Sequence, residues 1–170
     1  MIQDLFSMTG KVCLVTGASS GLGSYMAEGF LAAGAARVFI TGRSEDKLSK
    51  KADELSALSE GQCIPISGDL SDLEGVQALA DAISERESHL DVLVNNAGLG
   101  LGTQIQTMTA KAWDKSMDLN TRSPLFLTQA LLELLKASAT LDDPSRVIFI
   151  SSIAASAVLP SVLAYSTSKK

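Results

Sequence analysis

The segment YSTSKK places a tyrosine and a lysine four positions apart, at Tyr165 and Lys169. On an α-helix this spacing puts both side chains on one face. A phenol can donate a proton, and a neighbouring ammonium favours the ionised form of the phenol by supplying an opposite charge. The pair is therefore either a proton-transfer site or an ordinary solvated helix surface, and the elements that position it decide between these readings.

A glycine-rich segment, VTGASSGLG, follows the first strand-like run and opens the first helical pattern. Gly17 suits the tight turn that leaves the strand, Gly21 lets a pyrophosphate approach the backbone, and Gly23 lets the helix pack closely. The N–H groups at the start of the helix favour anionic phosphates. The alternative is a glycine-rich turn without a ligand. The segment predicts a nucleotide site formed by Gly17, Ser19, Ser20, Gly21, Leu22 and Gly23.

The second strand-like run ends FITGRSEDK, with no carboxylate at Thr41 or Gly42 and with Arg43 next. An acidic residue at this position binds the ribose 2′-hydroxyl of NAD. A guanidinium suits a 2′-phosphate and offers no acceptor to a free hydroxyl. We therefore predict NADP(H) as the cofactor, favoured over NAD(H). Arg43 also fits a solvated loop charge, and Ser20 stands where a second basic residue would strengthen the case.

Five short apolar runs alternate with longer helical patterns. The runs are KVCLVTG, ARVFITG, CIPIS, LDVLVNNAG and SRVIFISS, and their continuous apolarity predicts strands covered on both faces of a parallel sheet. Ser71 and Glu74 are predicted to form a capping box. Alternation of strands and helices predicts an α/β fold with a doubly wound parallel sheet, a Rossmann fold. Helices are predicted at 21–33, 44–58, 71–87 and 109–137, and from about Ser161.

Composition excludes several classes of protein. The chain has 170 residues, of which 46% are hydrophobic, and a net charge of −5. These values predict one domain over residues 1–170 and argue against a nucleic-acid partner. No apolar run is long enough to span a membrane. Cys13 and Cys63 lie in apolar runs without a second ligand at metal spacing, so we expect buried reduced thiols, no metal site and a cytoplasmic location.

These motifs together resemble the short-chain dehydrogenase/reductase family. The resemblance rests on TGASSGLG, on NNAG at residues 95–98, on Asn120, and on the spacing from Ser152 to Tyr165 and Lys169. It implies an oxidoreductase that interconverts a carbonyl and an alcohol by hydride transfer, with Asn120, Ser152, Tyr165 and Lys169 as catalytic residues. The opening DLFSMTGKVCLVTG looks most like reductases of 3-oxoacyl thioesters on acyl carrier protein.

The resemblance also implies a role for each residue. Tyr165 would donate the proton to the substrate oxygen, Ser152 would hydrogen-bond the same oxygen, and Lys169 would also hold the nicotinamide ribose. Asp69 resembles the residue that reads the adenine amino group, although a turn carboxylate before a helix cap is an alternative. The remaining residues expected beside the cofactor are Leu70, Asn95, Ala97 and Gly98.

The backbone carbonyl of Asn120 needs a separate argument. In the family this carbonyl holds a water that links the lysine to solvent. The N–H that would normally bond it belongs to the residue four positions later, which here is Pro124 and has no N–H. The sequence therefore predicts a free carbonyl, a helix kink or restart, or both together.

The segment LFLTQALLELLK, residues 125–136, is apolar nearly all round, which predicts burial on two sides. One side would face the sheet. By resemblance the other is a homo-oligomer interface formed through helix 109–137; the alternative is a cover from other parts of the same chain. Because members of the family continue further, the resemblance implies a C-terminally truncated chain that lacks the substrate-binding portion and is inactive by itself. A non-catalytic NADP(H)-binding module acting through protein contacts is the alternative function.

Overall fold

The computed structural model describes residues 5–157 and 159–170. Within them, five parallel strands form one sheet in the order β3-β2-β1-β4-β5, which confirms the predicted doubly wound α/β fold. From β1 the chain adds β2 and β3 on one side of the sheet, and then returns to add β4 and β5 on the other side of β1. The strands are β1 (Val12–Val15), β2 (Arg37–Gly42), β3 (Gln62–Ser67), β4 (Val92–Asn95) and β5 (Arg146–Phe149).

Helices connect the strands, and the first three lie where the sequence predicts them, with shorter ends. A 3₁₀ turn at Ile105–Thr107 precedes α4, and another at Ile153–Ala155 follows β5. The last helix begins at Leu163, after Ser161, whose φ of 63° lies outside the helical range. The helices are α1 (Gly21–Ala32), α2 (Glu45–Ser56), α3 (Leu73–Ser84), α4 (Ala110–Met117), α5 (Ser123–Ala130), α6 (Leu132–Ala137) and α7 (Leu163–Lys169).

The prediction of one continuous helix over 109–137 is wrong. After α4 the chain makes a π-helical turn over Asp118–Arg122, in which the Ser123 N–H donates to the Asp118 carbonyl five residues back. Pro124 follows at the start of α5. Because proline has no N–H for the Asn120 carbonyl, the regular ladder is interrupted here and a wider turn takes its place. Leu131, with φ −93° and ψ 5°, then separates α5 from α6.

The predicted capping box at Ser71 and Glu74 is also wrong. The N-cap of α3 is Asp72, whose carboxylate accepts the N–H of Gly75 at 2.8 Å. The Ser71 N–H donates to Asp69 Oδ1 at 3.0 Å, so Ser71 lies in a turn before the helix. A short-range bond between side chain and backbone therefore places the helix start one residue later than expected.

The core has two layers, one on each face of the sheet, because successive strand residues point to opposite sides. On one face Cys13 and Val15 of β1 pack in the cluster that includes residues of α1 and α2. On the other face Val12 and Leu14 pack in the cluster that includes residues of α3, α5 and α6. This double cover rigidifies the central strands, whose carboxyl ends carry the loops described below.

The expectation that every strand is covered on both faces is wrong for both edge strands, because only Cys63 of β3 is buried and none of β5 is. β5 is the more exposed of the two. Its apolar residues Val147, Ile148 and Phe149 are 37%, 39% and 55% exposed. β5 is the last strand in the sheet order, and no other described strand pairs with its outer edge.

Among the described residues, no helix is long and apolar enough to cross a membrane.

Candidate active site

A cleft of about 470 Å³ opens at the carboxyl ends of the strands, where the strand order reverses. Open α/β sheets bind ligands at this switch point, because the two loops that leave in opposite directions make a crevice. The loops after all four of β1 to β4 contribute to its lining. So does one side chain of α4, Lys115, together with Leu119 of the π-turn.

The glycine loop after β1 packs directly against the loop after β4. Gly17 has a φ of +65°, and a Cβ there would lie 2.8 Å from the Ala97 Cα. A Cβ on Gly23 would lie 2.6 Å from the Gly17 carbonyl oxygen. Only glycine fits at both positions, because a Cβ would collide with backbone atoms. The absence of a side chain lets the backbone of the glycine loop line the cleft.

Two residues that the sequence analysis did not single out fix this contact. Thr16 Oγ1 accepts the N–H groups of Asn96 and Ala97 at 3.0 and 2.9 Å. The Asn96 side-chain amide donates in return to the Thr16 and Gly17 carbonyls, at 2.8 and 3.1 Å. The neighbouring Asn95, expected beside the cofactor, is 4% exposed and donates to Thr128 Oγ1 of α5 at 3.2 Å instead.

Three charged residues contribute to the lining of the cleft. Arg43, Asp69 and Lys115 line it, so two cations face one carboxylate in a chain whose net charge is −5. Asp69 Oδ1 also accepts the Ser71 N–H, as the turn alternative expected. Thr41 Oγ1 is buried here without a hydrogen-bond partner among the described residues. Within the described part of the chain Arg43 and Lys115 form no ion pair, and two such cations fit an anionic ligand such as a nucleotide phosphate.

The other predicted cofactor residues divide between the cleft and its surroundings. Ser19, Ser20, Leu70, Ala97 and Gly98 line the cleft, as do Gly17, Arg43 and Asp69. Three predicted residues of the glycine segment do not line it. Gly21 begins α1 with a φ of +61°, and Leu22 is 68% exposed. Gly23 packs against the Gly17 carbonyl oxygen, behind the part of the loop that lines the cleft.

Gly98 joins the cleft to the predicted catalytic residues. It lines the cleft, and a Cβ on it would lie 3.3 Å from both Asn120 Oδ1 and Lys169 Nζ. Asn120 is buried and holds the backbone of Leu99, accepting its N–H at 2.7 Å and donating to its carbonyl at 2.9 Å. A Cβ on Gly100 would lie 3.7 Å from the Tyr165 ring. The loop after β4 therefore has the cleft on one side and α7 on the other.

Lys169 and Tyr165 share a face of α7, with the Lys169 ammonium 6.0 Å from the centre of the Tyr165 ring. Lys169 Nζ donates to the Ile150 carbonyl at 2.8 Å. Burial lowers the pKa of Lys169 below its ordinary value because desolvation disfavours the charged form. Ser152 precedes the second 3₁₀ turn, and its Oγ accepts the Ala154 N–H at 3.2 Å. Across the described ranges, no hydrogen bond joins the Ser152 hydroxyl to the Tyr165 phenol.

Comparison with known proteins identifies the family of this chain. The short chain dehydrogenase pattern matches residues 11–170. A 3-oxoacyl-[acyl-carrier-protein] reductase of rhamnolipid biosynthesis from Pseudomonas aeruginosa is 43% identical over 169 residues, covering 99% of this chain and 65% of that protein.

Solved structures give the same result. Pseudomonas aeruginosa RhlG, in an active-site complex with NADP, matches with a TM-score of 0.90 and 42% identity, covering 96% of this chain and 63% of that one. A 3-oxoacyl (acyl-carrier-protein) reductase from Agrobacterium tumefaciens with NADP bound matches with a TM-score of 0.88 and 26% identity, covering 99% and 63%. The chain spans less than two thirds of the length of these relatives. With its fold, cleft and family pattern in agreement, this chain belongs to the short chain dehydrogenase family.

Proposed function

We propose that this chain is the cofactor-binding and proton-transfer part of an NADP(H)-dependent oxidoreductase that interconverts a carbonyl and an alcohol by hydride transfer. The observation that carries the proposal is the position of Gly98, which lines the cleft and lies against both Lys169 and Asn120. A cofactor in the cleft would thus meet a proton-handling pair at one end. The names of the two reductase relatives favour a 3-oxoacyl thioester as the carbonyl substrate.

The cofactor would lie along the cleft with its adenosine end at the charged side chains. Arg43 is assigned to the 2′-phosphate, because a guanidinium offers paired donors to phosphate oxygens. Asp69 and Leu70 are assigned to the adenine, and the glycine loop to the pyrophosphate. Tyr165 and Lys169 are assigned to the nicotinamide ribose, beside the loop that carries Ala97 and Gly98.

The proposed chemistry needs one proton and one hydride. NADP(H), when bound, supplies or accepts the hydride. During reduction the Tyr165 phenol donates its proton to the carbonyl oxygen as negative charge develops there. The Ser152 hydroxyl hydrogen-bonds the same oxygen and stabilises that charge. The Lys169 ammonium favours the phenolate that remains.

A homo-oligomer that pairs through helices α5 and α6 is part of the proposal. These helices bury Leu127 and Leu135 against the sheet and leave Leu125, Phe126 and Leu132 at 60%, 37% and 40% exposure. Exposed apolar side chains on a helix favour contact with another protein surface. A reducing location such as the cytoplasm, expected from the two free cysteines, also belongs to the proposal.

We further propose that the 170 residues by themselves turn over at background rate. Both predicted catalytic side chains of α7 lie on a helix of seven residues, whose few internal hydrogen bonds make its order depend on contacts with other elements. The neighbouring β5 is an exposed apolar edge, which invites aggregation. Catalytic geometry on such a support would be poorly maintained.

The test measures cofactor binding and turnover separately. NADPH binding is followed by fluorescence, and NADPH oxidation is followed with a panel of carbonyls that includes 3-oxoacyl thioesters. Both are run on the 170-residue chain and on a fusion that adds the remaining C-terminal segment of the Pseudomonas relative. We expect the chain to bind NADPH and the fusion to oxidise it.

Tyr165→Phe in the fusion should abolish oxidation and leave NADPH binding nearly intact, because only the proton donor is removed. Binding without oxidation by the unsubstituted fusion would favour the non-catalytic binding module. Retention of most of the activity by Tyr165→Phe would refute the proposed mechanism.

A further inference from the structure

A buried hydroxyl connects the π-turn to the last helix. Ser168 is 9% exposed, and its Oγ accepts a hydrogen bond from the Asn120 side-chain amide at 2.8 Å. The same hydroxyl donates to the Tyr165 carbonyl at 2.8 Å. Ser168 lies between Tyr165 and Lys169 in sequence, on the side of α7 that faces the π-turn.

A second bond reinforces this contact. Thr121 Oγ1 donates to the Ser168 carbonyl at 3.1 Å. The neighbouring π-turn residues Asn120 and Thr121 therefore hydrogen-bond the side chain and the backbone of Ser168, respectively. Asn120 is itself tied to the Leu99 backbone by two hydrogen bonds. The result is a continuous chain of contacts from the loop after β4, through Asn120 and Ser168, to the backbone of α7.

We propose that Ser168 is a positioning residue, whose hydroxyl transmits the anchoring of Asn120 to α7 and so places Tyr165 and Lys169 against the cleft. The proposal rests on the proposed function for its catalytic consequence. The contact itself is independent of that function. The two hydrogen bonds from the π-turn act on the turn of α7 that carries Lys169, so their loss should loosen that turn first.

The chain offers a matched control on the same helix. Thr167 is exposed, and its hydroxyl donates to the Leu163 carbonyl at 3.0 Å within α7. Thr167→Val removes that hydroxyl at nearly constant shape without touching the π-turn. Ser168→Ala removes a hydroxyl that also bonds within the helix but reaches Asn120 as well.

The first experiment is amide hydrogen exchange, resolved by NMR, on the 170-residue chain and its variants. Ser168→Ala should accelerate exchange at residues 166–169 by roughly three- to tenfold, the effect of one buried hydrogen bond. Thr167→Val should change it less than about twofold. In an Asn120→Ala background, Ser168→Ala should add almost nothing, because coupled residues are not additive.

Two outcomes would overturn the proposal. One is the same acceleration by Ser168→Ala in both backgrounds, since Ser168 would then stabilise α7 without Asn120. The other is an equal acceleration by Thr167→Val, since loss of any hydroxyl on the helix would then suffice. Neither outcome depends on turnover.

The second experiment measures turnover in the fusion. Ser168→Ala should lower kcat by about tenfold and also raise the KM for NADPH, because Tyr165 and Lys169, which it positions, are assigned to the nicotinamide ribose. Ser168→Thr, which keeps the hydroxyl, should retain most of kcat. An unsubstituted fusion without turnover would refute the proposed function and leave the exchange result to decide the role of Ser168. An unchanged kcat in Ser168→Ala would refute the catalytic consequence.

Discussion

Replacing Gly23 by alanine tests whether the cleft depends on the close approach of the glycine loop. A Cβ at this position would lie 2.6 Å from the Gly17 carbonyl oxygen and 2.8 Å from the Ala18 Cα. These are backbone atoms, which cannot rotate away, so we take the upper end of the usual overpacking range, about 3 kcal/mol. Alanine recovers about 1 kcal/mol of helix propensity, which leaves a net loss of about 2 kcal/mol.

Gly29→Ala is the matched control on the same helix. A Cβ there would meet nothing within 4 Å. The only expected effect is the gain in helix propensity, so this variant should be more stable by about 0.5–1 kcal/mol. The same chemical change six residues apart on α1 is therefore expected to have opposite signs.

Thermal and urea unfolding measure both effects. For a chain of this size, 1 kcal/mol corresponds to about 2–4 °C, so Gly23→Ala should lower the Tm by about 4–8 °C and Gly29→Ala should raise it slightly. Gly23→Ala should also weaken NADPH binding, because relief of the contact displaces the glycine loop. A Gly23→Ala variant as stable as the unsubstituted chain, or more stable, would refute the close approach.

Three further results are expected. Arg43→Asp should weaken NADPH binding more than about tenfold and leave NADH binding unchanged or improved, because a charge-assisted bond is lost; equal losses would contradict a 2′-phosphate role. Burial lowers the pKa of Lys169 from its ordinary value of 10.5. Between the folded-state pKa and pH 10.5 the unfolded state therefore binds more protons than the folded state, so the free energy of unfolding should rise with pH. Urea unfolding should show this rise for the unsubstituted chain relative to Lys169→Met. No relative gain would argue against that burial. Burial raises the pKa of the Cys13 and Cys63 thiols to about 12, so a thiol reagent at pH 8 should modify them only after unfolding; rapid labelling of the native chain would contradict this.

Local patterns in the sequence determined the class of fold and the position of the nucleotide loop. Continuous apolar runs predict buried parallel strands, and glycines at defined spacing predict a turn that brings the backbone close to another surface. Pro124 also marks an interruption, because a missing N–H is a local property. The restart of a helix there was among the predicted outcomes, whereas the π-turn before it was not predictable from the proline alone.

Only the tertiary structure decided which side chains meet. Asn95 and Asn96 are equivalent in sequence, yet one bonds α5 and the other the glycine loop, because successive residues face opposite ways at the end of a strand. Lys115 enters the cleft from a helix whose pattern indicates only an exposed cation. Asn120 and Ser168 are 48 residues apart, and their contact depends on how α7 packs against the π-turn. Hydrophobic periodicity indicates which face of a helix or strand is buried. The hydrogen-bond partners of the polar side chains on that element depend on how elements distant in the chain pack against it.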